Sequence, residues 1–177
     1  MAIYTEQEAR ALLEKVLSYS QADECECNLD GSNEGNIRYA RNTVSTAGEV
    51  SNVTLAVQSS FGKRTGTATI NEFDDASLEK VVRRSEELAR LAPENPEHMP
   101  LLGPADYDSV DAWVESTANV TPDDRAAMAD KSITPSKENG LVAAGYLNDN
   151  RGFSAIANNK GMFAYHRATD VNFTVTI

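Results

Sequence analysis

Apolar residues recur at helical spacing from the first residues of the chain: Ala9, Leu12, Leu13, Val16 and Leu17 share one face, and Thr5 with Glu8 three positions on makes a capping box. This predicts a helix over about residues 5–20. The period then changes to two. Cys25, Cys27 and Leu29 alternate with Glu24, Glu26 and Asn28, a half-buried strand with its cysteines toward a core. The polar run Asp30–Gly35 reads as a turn, followed by a strand at about 36–46 and another at about 50–58, where Val53, Leu55 and Val57 alternate with polar or small residues. Residues 59–63 read as a hairpin turn into the strand RTGTATI, so residues 22–70 form a four-stranded antiparallel meander.

A second helix carries Leu78, Val81, Val82, Leu88 and Ala89 on one stripe, is capped by Asp75 or Ser77, and ends before Pro93. Five residues of Pro or Gly fall between Pro93 and Pro104, making 92–117 a Pro-rich linker or wrapping loop whose Tyr107 and Trp113 pack on something. Thr121-Pro122 starts a third helix that runs to about Ser132 and stops at Pro135. Strand patterns return in LVAAGYL, FSAIANN, MFAYHRAT and VNFTVTI, with a turn at residues 158–161. The expected fold is one α+β domain over residues 1–177, antiparallel β-meanders packed against two or three amphipathic helices. The final alternation of Val171, Phe173, Val175 and Ile177 runs to the last residue, which leads to the expectation that the sequence is cut from a longer chain.

Composition narrows the function classes. Acidic residues outnumber Lys and Arg by 27 to 16, a net charge of -11, so no direct nucleic-acid partner is expected, since phosphate-backbone affinity needs clustered basic side chains. No apolar run approaches a membrane span and the N-terminus lacks the basic start of a secretory signal, giving the expectation of a cytoplasmic protein without a membrane partner. Cys25 and Cys27 are too close in sequence to bridge without strain.

Candidate chemistry is sparse. A zinc site needs three or four converging ligands, and only His98, His166 and the two cysteines are on offer besides carboxylates, with no i, i+4 histidine pair. No metal or catalytic residue is therefore expected in this segment. No Gly-x-Ser-x-Gly elbow occurs, and a Cys25–His166 dyad would need an unsupported spatial coincidence. Gly62-Lys63-Arg64-Thr65-Gly66 faintly suggests a phosphate loop but joins two strands, where a hairpin is the simpler reading. On its residues alone the chain is an interaction or scaffold domain.

The order of segments resembles the N-terminal part of the TldD/PmbA family, known as metallopeptidases and as modulators of DNA gyrase. The resemblance rests on IRYARNTVST, on the stretch from VTLAVQSSFGKRTGTATINEF through the second helix to its Pro-rich exit, and on VAAGYLNDNRGFSAIANNKGMFAYHRATDVNFTVTI, after the leading amphipathic helix. It implies that zinc is held by a His-Glu-x-x-x-His helix in a C-terminal domain beyond this chain, if the subunit is of the active type. A metal-free PmbA-type subunit is the other possibility. It further implies a homo- or heterodimer of family members, acting on unfolded peptides that add as a strand in a channel this domain helps enclose. Residues expected to touch substrate or partner are Arg38, Arg41, Asn42, Gly62, Arg64 and Gly66; the plainer reading makes them turn glycines and solvated edge arginines. Two other functions stay open: an acidic module that docks a basic protein surface without peptidase activity, and a hydrolase using Cys25.

Overall fold

In the computed structural model, which describes residues 3–108 and 110–177, the first apolar stripe forms α1 (Glu6–Ser18). Its start is the expected capping box: the Glu8 amide donates to Thr5 Oγ1 at 3.3 Å and the Thr5 amide to Glu8 Oε2 at 2.8 Å. Ser109, inside the Pro-rich 92–117 segment, lies outside the described residues, as do Met1 and Ala2. Among the described residues the chain forms an α+β fold, a five-stranded antiparallel sheet of order β3-β2-β1-β4-β5 with four helices packed against it.

The strands are fewer and longer than the alternation predicts. Residues 22–70 hold three strands: β1 (Glu24–Ala40), β2 (Thr43–Phe61) and β3 (Arg64–Ile70). The Asp30–Gly35 run does not turn the chain but lies in the middle of β1. Its glycines are spacers: a Cβ on Gly31 would stand 2.3 Å from the Phe153 ring, and one on Gly35 would stand within the Arg125 guanidinium. The real turn falls at Arg41 and Asn42, inside the segment expected as one strand over 36–46, and both residues have positive φ, 52° and 59°. Asn tolerates that left-handed region better than other side-chain-bearing residues. Likewise LVAAGYL and FSAIANN merge into β4 (Ala144–Asn158), and MFAYHRAT and VNFTVTI into β5 (Phe163–Thr176).

Helix α2 (Asp75–Leu91) is capped by Asp74, ahead of the expected Asp75 or Ser77, with the Ser77 amide donating to Asp74 Oδ1 at 3.1 Å. A short α3 (Glu115–Ala118) precedes α4 (Pro122–Glu138), which passes through Pro135 where the sequence predicts its end near Ser132. The missing proline donor falls in the last turn, where side chains tie the backbone down: Ser136 Oγ donates to the Ser132 carbonyl and Asn139 Nδ2 to the Pro135 carbonyl, both at 2.8 Å. No helix among the described residues is long and apolar enough to cross a membrane.

The helices lie on one face of the sheet and bury two separate apolar clusters. The larger joins α1 and α2 to Cys25, Cys27, Leu29, Leu55, Val57 and Phe153; the smaller joins α4 to Ile37, Tyr39, Ala143 and Leu147. Between them runs a polar seam in which Arg125, only 3% exposed, bonds Asp149 at 2.8 Å and also Glu49. Burial opposes the charge on Arg125, but its bonds to Asp149 and Glu49 outweigh that and raise its pKa above the usual value. The opposite face carries Asp30, Ser32, Glu34, Asn36 and Arg38, the polar half of the β1 alternation.

Candidate functional site

Residues 92–108 follow one end of the sheet, and residues 110–114 reach its β5 edge. The Asn95 amide donates to the Lys63 carbonyl at 2.9 Å, the Leu101 amide to Glu24 Oε1 at 3.1 Å, and Asn158 Nδ2 to the Leu102 carbonyl at 2.9 Å. At the edge itself the Thr169 amide donates to the Ala112 carbonyl at 3.0 Å, and the Val114 amide donates to Thr169 Oγ1 at 3.0 Å. Trp113 stacks beneath the Arg167 guanidinium, 4.6 Å from its ring centre.

That one backbone bond fixes the orientation of the rest of the strand. In an antiparallel strand successive residues point their N–H and C=O groups to alternate sides. Because Thr169 points outward and the β4–β5 register is unbroken, Val171, Phe173 and Val175 point outward too. Among the described residues nothing pairs with their edge groups. Their side chains lie on the helix-bearing face but beyond the reach of α4, leaving Val171 54% exposed and Phe173 and Val175 each 41% exposed. Phe173 touches only the rim of the smaller cluster, its ring 6.5 Å from that of Tyr39. The result is an open strand edge flanked by an apolar row, with none of the Lys or Pro residues by which edges are commonly protected.

The six residues singled out from sequence do not come together. Arg38, Arg41 and Asn42 sit at the β1–β2 turn and Gly62, Arg64 and Gly66 at the β2–β3 turn, at opposite ends of β2, roughly 60 Å apart by strand rise. Each has a local partner. Arg38 lies 5.3 Å over the Tyr146 ring, Arg41 is exposed in its turn, and Asn42 locks that turn to the start of β4, accepting from the Ala143 amide at 2.7 Å and donating to the Leu141 carbonyl at 2.8 Å. The Gly62 amide donates to Asp23 Oδ2 at 2.9 Å, and Arg64 makes an exposed pair with Glu94 at 3.7 Å. Gly66 lets β3 press against the α2 backbone, where an added Cβ would be 2.2 Å from the Ala89 nitrogen. Tyr146, beside Arg38, has its pKa raised by burial and by Glu34.

The described residues do not fit a zinc site. Cys25 and Cys27 face the core, His98 pairs with Glu24 at 3.2 Å, His166 is exposed on β5, and no three His, Cys, Asp or Glu side chains stand close enough to share a metal ion. The edge residues Val171, Phe173 and Val175 were visible in the sequence only as a strand. Alternation gives the buried face of a strand but not its place in the sheet, and edge position is what makes these three available.

Comparison with characterised protein sequences gives no match. A family described as the PmbA/TldA metallopeptidase domain 1 matches residues 25–89. Among solved structures, TldE from Thermococcus kodakarensis superposes with a TM-score of 0.81 at 16% identity, over 93% of this chain and 37% of that one. A candidate modulator of DNA gyrase from Thermotoga maritima gives 0.80 at 11% identity, over 93% and 38%, and another from Bacteroides thetaiotaomicron gives 0.79 at 14%, over 97% and 41%. The chain thus spans about two fifths of the length of the structures it matches. The sequence pattern of that family's first domain thus runs across β1, β2, β3 and α2, and the fold of the three solved structures is shared over nearly all of the chain.

Proposed function

We propose that this chain is the non-catalytic N-terminal domain of a TldD/PmbA-type metallopeptidase, which guides extended peptides by pairing them with the free edge of β5 and contributes to the interface with a second family subunit. The observation that carries the reading is the outward-facing, unpaired backbone of Val171, Phe173 and Val175 beside their exposed apolar side chains. Backbone pairing gives affinity without sequence demands, which suits a protein that handles unfolded peptides. The metallopeptidase description of the matched family supports the class of reaction, and the coverage of about two fifths supports placing the chemistry outside these residues.

Proline at position 175 tests it. That substitution removes an outward N–H while leaving the β4 ladder intact, a replacement edge strands accept. The 177-residue chain should bind a labelled unstructured peptide, and Val175→Pro should weaken binding about tenfold, equivalent to ~1.4 kcal/mol, with its unfolding midpoint little changed. Equal binding by Val175→Pro and the parent chain refutes the edge reading. If binding instead requires a basic peptide and collapses with added salt, the acidic docking module is the better description.

A further inference from the structure

A cleft of about 410 Å³ opens on the helix-bearing face between the start of α1, α3 and strands β4 and β5, within the range that holds small ligands. Tyr4, Trp113 and Tyr165 supply its aromatic walls, and Arg151 and Arg167 enter it from adjacent strands. Two guanidiniums meeting in one cleft stand out in a chain of net charge -11.

Their hydrogen-bonding capacity is largely unspent. A guanidinium offers five N–H donors. Arg151 uses Nη1 on the Ala118 carbonyl and Arg167 places Cζ 4.6 Å over the Trp113 ring; among the described residues neither forms an ion pair with a carboxylate. Three carboxylates near the cleft have partners other than these two arginines. Glu115 accepts from Trp113 Nε1 at 3.0 Å, Glu8 is held in the α1 capping box, and Glu6 pairs with Arg10 at 3.7 Å. Tyr165 has its pKa raised by burial and by Glu6 and Glu8, with Arg167 acting in the opposite sense. Its hydroxyl is committed to the Tyr4 carbonyl at 2.7 Å, so it contributes a wall more than a donor.

We propose that this cleft binds a carboxylate carried on an aromatic or apolar body, as at the C-terminus of a peptide, with Arg167 and Arg151 clamping the carboxylate and Trp113, Tyr4 and Tyr165 enclosing the body. Guanidinium and carboxylate match in bidentate geometry, and the flat walls suit a ring or a branched side chain. The site goes beyond the β5 edge and does not depend on it.

Trp113 is the only tryptophan of the chain, so its fluorescence reports on the cleft directly. Titration with N-acetyl-L-phenylalanine should change the emission saturably, and N-acetyl-L-phenylalaninamide, which lacks the charge, should bind at least about tenfold more weakly. Because Arg167 itself touches the fluorophore, the variants are measured by calorimetry: Arg167→Gln, at an exposed position, and Arg151→Gln should each weaken the acid about tenfold and leave the amide unchanged. Arg167→Gln guards against a folding defect in Arg151→Gln, which also loses the bond to α3. Equal binding of acid and amide, an unaltered affinity in Arg167→Gln, or inorganic phosphate binding as tightly as the aromatic acid would each overturn the assignment.

Discussion

Gly66 and Gly62 stand four residues apart, and only one of them is set by packing. At Gly66 any side chain meets the backbone of α2, which cannot rotate away, so Gly66→Ala should destabilise the fold by about 1–3 kcal/mol, read as a lowered denaturant midpoint. Gly62 has open space around its Cβ position and is held only by its φ of 57°, so Gly62→Ala should lose about 1–2 kcal/mol, through backbone strain alone. Arg125 gives a sharper contrast. Replacing it by Met strands Asp149, 5% exposed, without its cation, and should cost about 3–5 kcal/mol in equilibrium unfolding. The double variant Arg125→Met/Asp149→Leu should recover most of that loss, because the greater part is the penalty of a lone buried charge.

At the scale of elements, the start of α1 depends on pH in a definite direction. Bonds from the Thr5 amide and hydroxyl hold the Glu8 carboxyl below its ordinary pKa of 4.5. A carboxylate with a lower pKa in the folded state contributes stability that is present above its unfolded pKa and lost as pH falls through the folded one. Stability should therefore decline from about pH 4.5 downward, and Glu8→Gln should flatten the decline attributable to this helix while lowering stability at neutral pH, as followed by thermal unfolding across pH 2–7. Such caps were legible in the sequence because they are local. Helices α1 and α2, the start of α4 and the hairpin at residues 62–63 were legible for the same reason, while the short α3 was not. What the sequence did not show was the continuity of the strands: Gly31 and Gly35 look like turn residues until Phe153 and Arg125, more than 80 positions away, are seen to need the space. Pro135 similarly looks like a stop until Ser136 and Asn139 are seen to close the last turn. The turn at Arg41 and Asn42 carries no glycine or proline, and its anchor at Leu141 and Ala143 is remote in sequence. The six residues chosen as a site failed to assemble because proximity to turns was their common feature, and the two turns lie at opposite ends of one long strand.

At the scale of the molecule, the open edge of β5, the exposed first ten residues of β2 and the smaller cluster all lie at the same end of the sheet. The other end is held by α1, α2 and the larger cluster, with the polar seam of Arg125 and Asp149 between them. Two clusters that share strands but not side-chain packing need not melt together. Amide hydrogen exchange should resolve them: the amides of β1, β2 and β4 next to α1 and α2 should exchange only through global unfolding, while those at residues 35–40 and 144–149 should exchange through a smaller opening in which α4 detaches. Uniform protection along β4 would mean that the seam transmits cooperativity in full. A separate opening would make this domain a rigid base with a yielding tip, in which the exchange rates at residues 144–149 measure how readily the end carrying the free edge adjusts to what it meets.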